Sequence, residues 1–140
     1  MQIGHNDISR RARIAGWTLS GLLIAFLLFD GLIKLPPLQP VLDTMPALGW
    51  PVETARLLGV LTLACTALYA WPRTAVLGAI LLTAYLGGAV ATHVRIGSPL
   101  FSHILFGVYL GLFAWGGLWL RDPRLRALIP LSNDSVSGLD

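Results

Sequence analysis

The sequence predicts an all-α protein: a polytopic membrane bundle of four antiparallel transmembrane helices. Three observations carry this. Of 140 residues, 55 % are hydrophobic types and only 12 % charged, where a typical soluble domain has about 25 % charged residues. The mean hydropathy is +0.71. The apolar residues fall into four long runs separated by prolines, glycines and arginines. A 15.1 kDa chain has too much surface for its volume to hide so many apolar side chains from water. This argues against a soluble enzyme, a disordered chain and a nucleic-acid-binding domain.

Residues 1–13 form a short N-terminal segment that ends in Arg10, Arg11 and Arg13. They precede the first apolar run as the basic region of a signal peptide does. The run over 14–35 is too long for one, and no A-x-A site follows it, so a retained span is expected. At about 1.5 Å per residue, such a run covers roughly the 30 Å of a hydrocarbon core. The connection 36–53 contains Pro36, Pro37, Pro40, Pro46 and Pro51 among apolar Leu38, Val41, Leu42, Met45, Leu48 and Trp50. A freely solvated linker is more polar, so this outer loop is expected to lie on the membrane surface, with room for one short interfacial helix.

The second span is expected over 54–71, the third over 74–93 and the fourth over 100–120. Trp71-Pro72-Arg73 is a tight hairpin in which Pro72 ends one helix and helps start the next. In Arg95-Ile96-Gly97-Ser98-Pro99, Gly97 and Pro99 break the helix, and Ser98 is the candidate cap of the next. Residues 121–140 form a C-terminal tail. Its last part, after Pro130, is small and polar and is expected to be disordered.

Short connections make successive helices antiparallel neighbours. Both termini and the second connection then share one side. That side holds Arg10, Arg11, Arg13, Arg73, Arg121, Arg124 and Arg126, seven of the ten basic residues. The positive-inside rule places it in the cytoplasm, as in a multi-pass protein of the bacterial inner membrane. Trp17, Trp71, Trp115 and Trp119 fall towards that side and Trp50 on the other, as interfacial belt residues do. Gly107 and Gly111 form a GxxxG, and Gly87 and Ala91 a small-xxx-small pair. Such residues let helices approach closely, within the bundle or at a dimer seam.

Charge inside a span is costly and points to function. Helix one carries Asp30 and Lys34 near its outer end, and helix two begins with Glu53 and Arg56. Helix three ends with Thr92, His93 and Arg95, and helix four begins with Ser98, Ser102 and His103. Tyr85 shares a face of helix three with Gly78, Gly88 and Thr92. Asp30 and Lys34, four apart, can pair along a helix, and so can Glu53 and Arg56, three apart. Asp30 has Arg95 as a second possible partner. The candidate ligand-binding set is Asp30, Lys34, Glu53, Arg56, Tyr85, Thr92, His93, Arg95 and His103. The same residues also read as structural ion pairs and snorkelling side chains. No Walker A, nucleophile elbow, HExxH or Rossmann fingerprint occurs, so no catalytic residue is assigned. His93 and His103 match no ligand spacing, and no metal is expected. Cys65, the one cysteine, excludes an internal disulfide or dithiol chemistry.

Several stretches carry a family resemblance. They are Phe29-Asp30-Gly31-Leu32-Ile33-Lys34-Leu35, Leu48-Gly49-Trp50-Pro51, Pro72-Arg73-Thr74-Ala75-Val76-Leu77-Gly78-Ala79, Tyr85-Leu86-Gly87-Gly88-Ala89-Val90-Ala91-Thr92-His93 and Leu120-Arg121-Asp122-Pro123-Arg124-Leu125-Arg126. Together they resemble the DoxX-like family of small four-helix membrane proteins, from about Arg11 to Pro130. The wider DoxX/DoxD group is similar to a subunit of a thiosulfate:quinone oxidoreductase. The resemblance implies a quinone or redox context but assigns no catalytic residue to a position of this chain.

Three functions follow. The first is a non-catalytic protein that binds a lipid-like ligand or a partner subunit through the outer polar cluster, with no cofactor. The second is the membrane subunit of a quinone-linked oxidoreductase, with quinone as its ligand. The third is a transporter component, which with four helices requires a homo-oligomer or a further subunit.

Overall fold

The computed structural model describes residues 8–129. The expectations for residues 1–7 and for the tail beyond 129 lie outside the described residues. Within them the regular structure is helical, with no strand. Helix α1, Arg10–Lys34, starts one turn before the expected span. Ser9 caps it there, its Oγ accepting from the Ala12 N–H at 3.2 Å, which satisfies one of the donors a helix start leaves open. Helix α2, Gln39–Ala47, is the short helix for which the proline-rich connection had room. Pro40 sits in its first turn, where a missing N–H costs nothing. Gly49 turns the chain afterwards with φ of 74°, a conformation that glycine adopts without penalty.

Helix α3 is Thr54–Ala70 and α4 is Ala75–Arg95, which ends two residues later than expected. A π-helical turn, Leu100–Ile104, leads without a break into α5, Leu105–Arg121. The turn is wide because the N–H groups of His103 and Ile104 both reach the Pro99 carbonyl, at 3.1 and 3.2 Å. Ser98 does not cap this helix: no side chain does, and the Ser98 Oγ is hydrogen-bonded to the His93 Nδ1 at 2.9 Å. The expected tail begins instead with a further helix, α6, Pro123–Leu128. Asp122 caps it by accepting from the Arg124 N–H at 2.9 Å.

Three helical stretches, Arg10–Lys34, Ala75–Arg95 and Leu100–Arg121, are long and apolar enough to cross a membrane; α3 is apolar but shorter. Helix α1 packs against α3 and α5, and α4 packs against the same two. Backbone approach explains the tightness. A Cβ on Gly16 would lie 2.7 Å from the Gly117 carbonyl oxygen, and one on Gly59 would lie 2.9 Å from that of Gly31. Gly78 rests directly on the Tyr69 backbone. Without a hydrophobic drive between helices in lipid, such close packing supplies the cohesion. Gly107 serves the same purpose against Leu86 and Val90, whereas Gly111 and Gly87 meet nothing within 4 Å and Ala91 is exposed. Only one glycine of the GxxxG, and neither member of the small-residue pair, therefore marks an internal contact.

The core gathers around Leu23, Leu27, Tyr69, Leu82 and Leu118. Tyr69 is fully buried. Its hydroxyl donates to the Ala114 carbonyl at 2.8 Å and meets the Ser20 Oγ at 2.9 Å. One side chain of α3 thus ties α1 to α5. Nearby, the Arg121 guanidinium lies 4.1 Å over the Trp17 ring, a favourable cation–π distance. This half, where α1 and α4 start and α3 and α5 end, is called the base. Outside the core, large apolar side chains face outward on every long helix, among them Phe29, Leu57, Ile80 and Leu112. Soluble monomers rarely expose so continuous an apolar surface.

Candidate functional site

Away from the base, the helices enclose a cavity of about 510 Å³, within the usual range for a small-molecule site of roughly 300–1,000 Å³. Phe26, Leu27 and Ile33 of α1, Leu58 of α3, Ala89 of α4 and Phe106 and Leu110 of α5 form its apolar wall. Phe26 and Phe106 meet edge to face with ring centroids 5.3 Å apart, a favoured aromatic geometry. Helix α2 is the roof. Val41, Thr44 and Met45, at helical spacing, face the cavity, and Val41 and Met45 pack with Ala55 to hold the roof on α3.

Six of the nine sequence-based candidates line this cavity: Asp30, Lys34, Tyr85, Thr92, His93 and His103. The Lys34 Nζ donates to the Asp30 Oδ2 at 2.5 Å and lies 3.5 Å from the Tyr85 hydroxyl. Asp30 therefore takes Lys34 as its partner rather than Arg95, because the four-residue spacing stacks the two on one helix face. Both side chains of this pair are part-buried.

His93 and His103 come from α4 and the π-helical turn. Their ring centroids are 5.5 Å apart with planes at 64°. The His93 Nδ1 meets the Ser98 Oγ at 2.9 Å and the His103 Nδ1 meets the Ser102 Oγ at 2.7 Å. These bonds engage the Nδ1 of each ring and leave each Nε2 without a hydrogen bond among the described residues. The widened turn carries His103, which is exposed yet lines the cavity; π turns recur at functional sites. The Thr92 hydroxyl is spent on its own helix, donating to the Gly88 carbonyl at 2.9 Å.

The other three candidates lie elsewhere. Arg95 spans from α4 to the α2 loop, its Nη2 donating to the Leu48 carbonyl at 2.8 Å. Glu53 and Arg56 do not pair. Glu53 is exposed, and the Arg56 Nε donates to the Leu35 carbonyl at 3.2 Å, because the end of α1 offers a closer acceptor. Among the described residues the one salt bridge is Asp30–Lys34. Sequence reasoning missed Phe26, Phe106 and the α2 roof. Phe26 lies one turn before Asp30, and Val41 and Met45 are four apart, so helical spacing could have found them.

The Arg95 bond has a measurable consequence. Arg95→Ala is expected to raise amide hydrogen exchange over residues 39–50 roughly fivefold, equivalent to about 1 kcal/mol of local opening. Exchange in α1 and α5 should not change. Unaltered exchange over 39–50 would mean that the roof is held without Arg95.

A family model described as the DoxX-like family matches residues 18–117. The chain belongs to the DoxX-like family. The matched region includes every residue of the cavity wall and, at the base, Gly117 but not Gly16, on which it rests. With its outward apolar belt and three helices of spanning length, this DoxX-like protein is a helical membrane protein. Comparison with curated proteins and with solved structures gives no match.

Proposed function

We propose that this DoxX-like protein crosses a bacterial inner membrane four times as an antiparallel bundle over residues 14–120, with both termini in the cytoplasm. It holds a lipid-like ligand in the cavity beneath α2 without acting on it chemically. The observation that carries this is one apolar cavity whose few polar groups sit together at one level, the usual make-up of a ligand site. Helix α3, at 17 residues, covers about 25 Å. Its neighbours and a local thinning of the bilayer make up the difference.

The test is native mass spectrometry of the protein released from its own membrane in mild detergent, beside the variant Gly88→Leu. Gly88 lines the cavity and a Cβ there meets nothing within 4 Å. Leucine fills the space while improving helix propensity by roughly 0.5–1 kcal/mol. A discrete added lipid mass on the wild type, lost from a normally folded Gly88→Leu, is the expected result. A bare wild-type chain, or a ligand that Gly88→Leu keeps, overturns the proposal and makes the protein an accessory partner of another subunit.

A second reading, the membrane subunit of a quinone-linked oxidoreductase, is favoured by the His93–His103 pair beside Tyr85 in the same cavity. A quinone ring presents two carbonyl acceptors, and the Tyr85 hydroxyl and Lys34 ammonium are donors that fit them. Organic extraction of the bound mass decides between the readings: a quinone supports this one and any other lipid counts against it.

A further inference from the structure

We infer that the cavity selects ligands with an uncharged hydrogen-bonding head, a hydroxyl or a carbonyl, on an apolar body, and rejects ionised lipids. This rests on the ligand-holding reading above and names the chemistry of its ligand.

The polar groups on the wall decide it. The wall carries one carboxylate, Asp30, and one ammonium, Lys34, and the two are in contact at 2.5 Å. Their charges cancel. The other charges near this end lie off the cavity wall. Arg95 lies outside the cavity wall and is engaged by the Leu48 carbonyl. Arg56 is bound to the Leu35 carbonyl. Asp43 accepts from the Gln39 side chain at 2.8 Å on the exposed side of α2. The hydroxyl protons of Thr44 and Thr92 go to carbonyls of their own helices.

What remains for a ligand is the Tyr85 hydroxyl, the spare N–H bonds of Lys34 and the two imidazole Nε2 atoms. These are partners for a neutral oxygen. An anionic head would lose its water beside the Asp30 carboxylate and find no unpaired cation on the cavity wall in return. A cationic head would meet Lys34 in the same way. Burying a charge without a partner is strongly unfavourable, whereas a hydroxyl or carbonyl is satisfied by a single donor.

The test uses the full chain in nanodiscs with tritiated hexadecanol as the probe, displaced by unlabelled hexadecanol or by hexadecanesulfonate, which stays ionised. Gly88→Leu defines non-specific uptake. The expected result is that the alcohol displaces the probe at a concentration at least about tenfold lower than the sulfonate. In Asp30→Asn, where the Lys34 charge is released, the sulfonate should gain by about the same factor. The wild-type comparison stands by itself where Asp30→Asn fails to fold. Equal displacement by the sulfonate, or its preference, overturns the inference and leaves the ligand-holding reading intact. Uptake of the probe that Gly88→Leu does not reduce overturns that reading too.

Discussion

Gly78→Ala is expected to destabilise the detergent-solubilised protein by about 3 kcal/mol, the upper range for overpacking. The new methyl has nowhere to go. It would overlap the backbone of Leu68 and Tyr69 rather than the flexible end of a side chain, so α3 and α4 must separate. Separation would pull on the Tyr69 hydroxyl bonds that join α1 to α5, and the loss spreads through the base. Gly87→Ala is the control, since a Cβ there meets nothing within 4 Å. It should leave the melting temperature unchanged or raise it, as alanine gains up to about 1 kcal/mol over glycine in a helix. Equal melting of the two variants would refute the close contact between α3 and α4.

Lys34→Met should cost about 2 kcal/mol, less than a fully buried ion pair because both side chains are only part-buried. The side chain removed is less important than the one left behind: Asp30 would face an apolar cavity with no counter-charge. The double variant Asp30→Leu with Lys34→Met should recover most of the loss, because a pair of apolar residues demands no desolvation of charge. Thermal unfolding of the single and double variants forms a double-mutant cycle. A double variant no more stable than Lys34→Met alone would show that Asp30 does not depend on Lys34.

Much of this architecture was legible in the sequence, for physical reasons that differ by element. The long apolar runs mark α1, α4 and α5 because about twenty consecutive apolar residues are what a helix needs to cross a hydrocarbon core. The Trp71-Pro72-Arg73 hairpin falls between α3 and α4 because proline both ends and starts helices. The Asp30–Lys34 pair was legible because it is local, set by one helical turn. Contacts between helices were less so. Arg56 and Arg95 bond to main-chain carbonyls of Leu35 and Leu48, and every residue has a carbonyl, so composition gives no sign of which is used. Ser98 suits a helix cap in sequence, but the turn that ends α4, with Gly97 at φ of 68° and the Ser98 N–H on the His93 carbonyl, puts it within reach of the His93 ring instead. Among the close glycines, Gly16 and Gly59 have small partners four residues away, Ser20 and Ala55, but so does Gly87, which meets nothing within 4 Å. Their role depends on which helix lies opposite.

The two ends of the molecule are built on different terms. At the base, glycine contacts and the Tyr69 hydroxyl join backbone to backbone, so a single added methyl is felt. At the other end the cavity is walled by side chains and roofed by α2, which rests on a small apolar cluster and the Arg95 bond. Foldability and selectivity are therefore encoded by separate sets of positions. Substitutions at His103 or on the cavity face of α2 could change what the cup contains without touching the glycine contacts that let the helices close on one another.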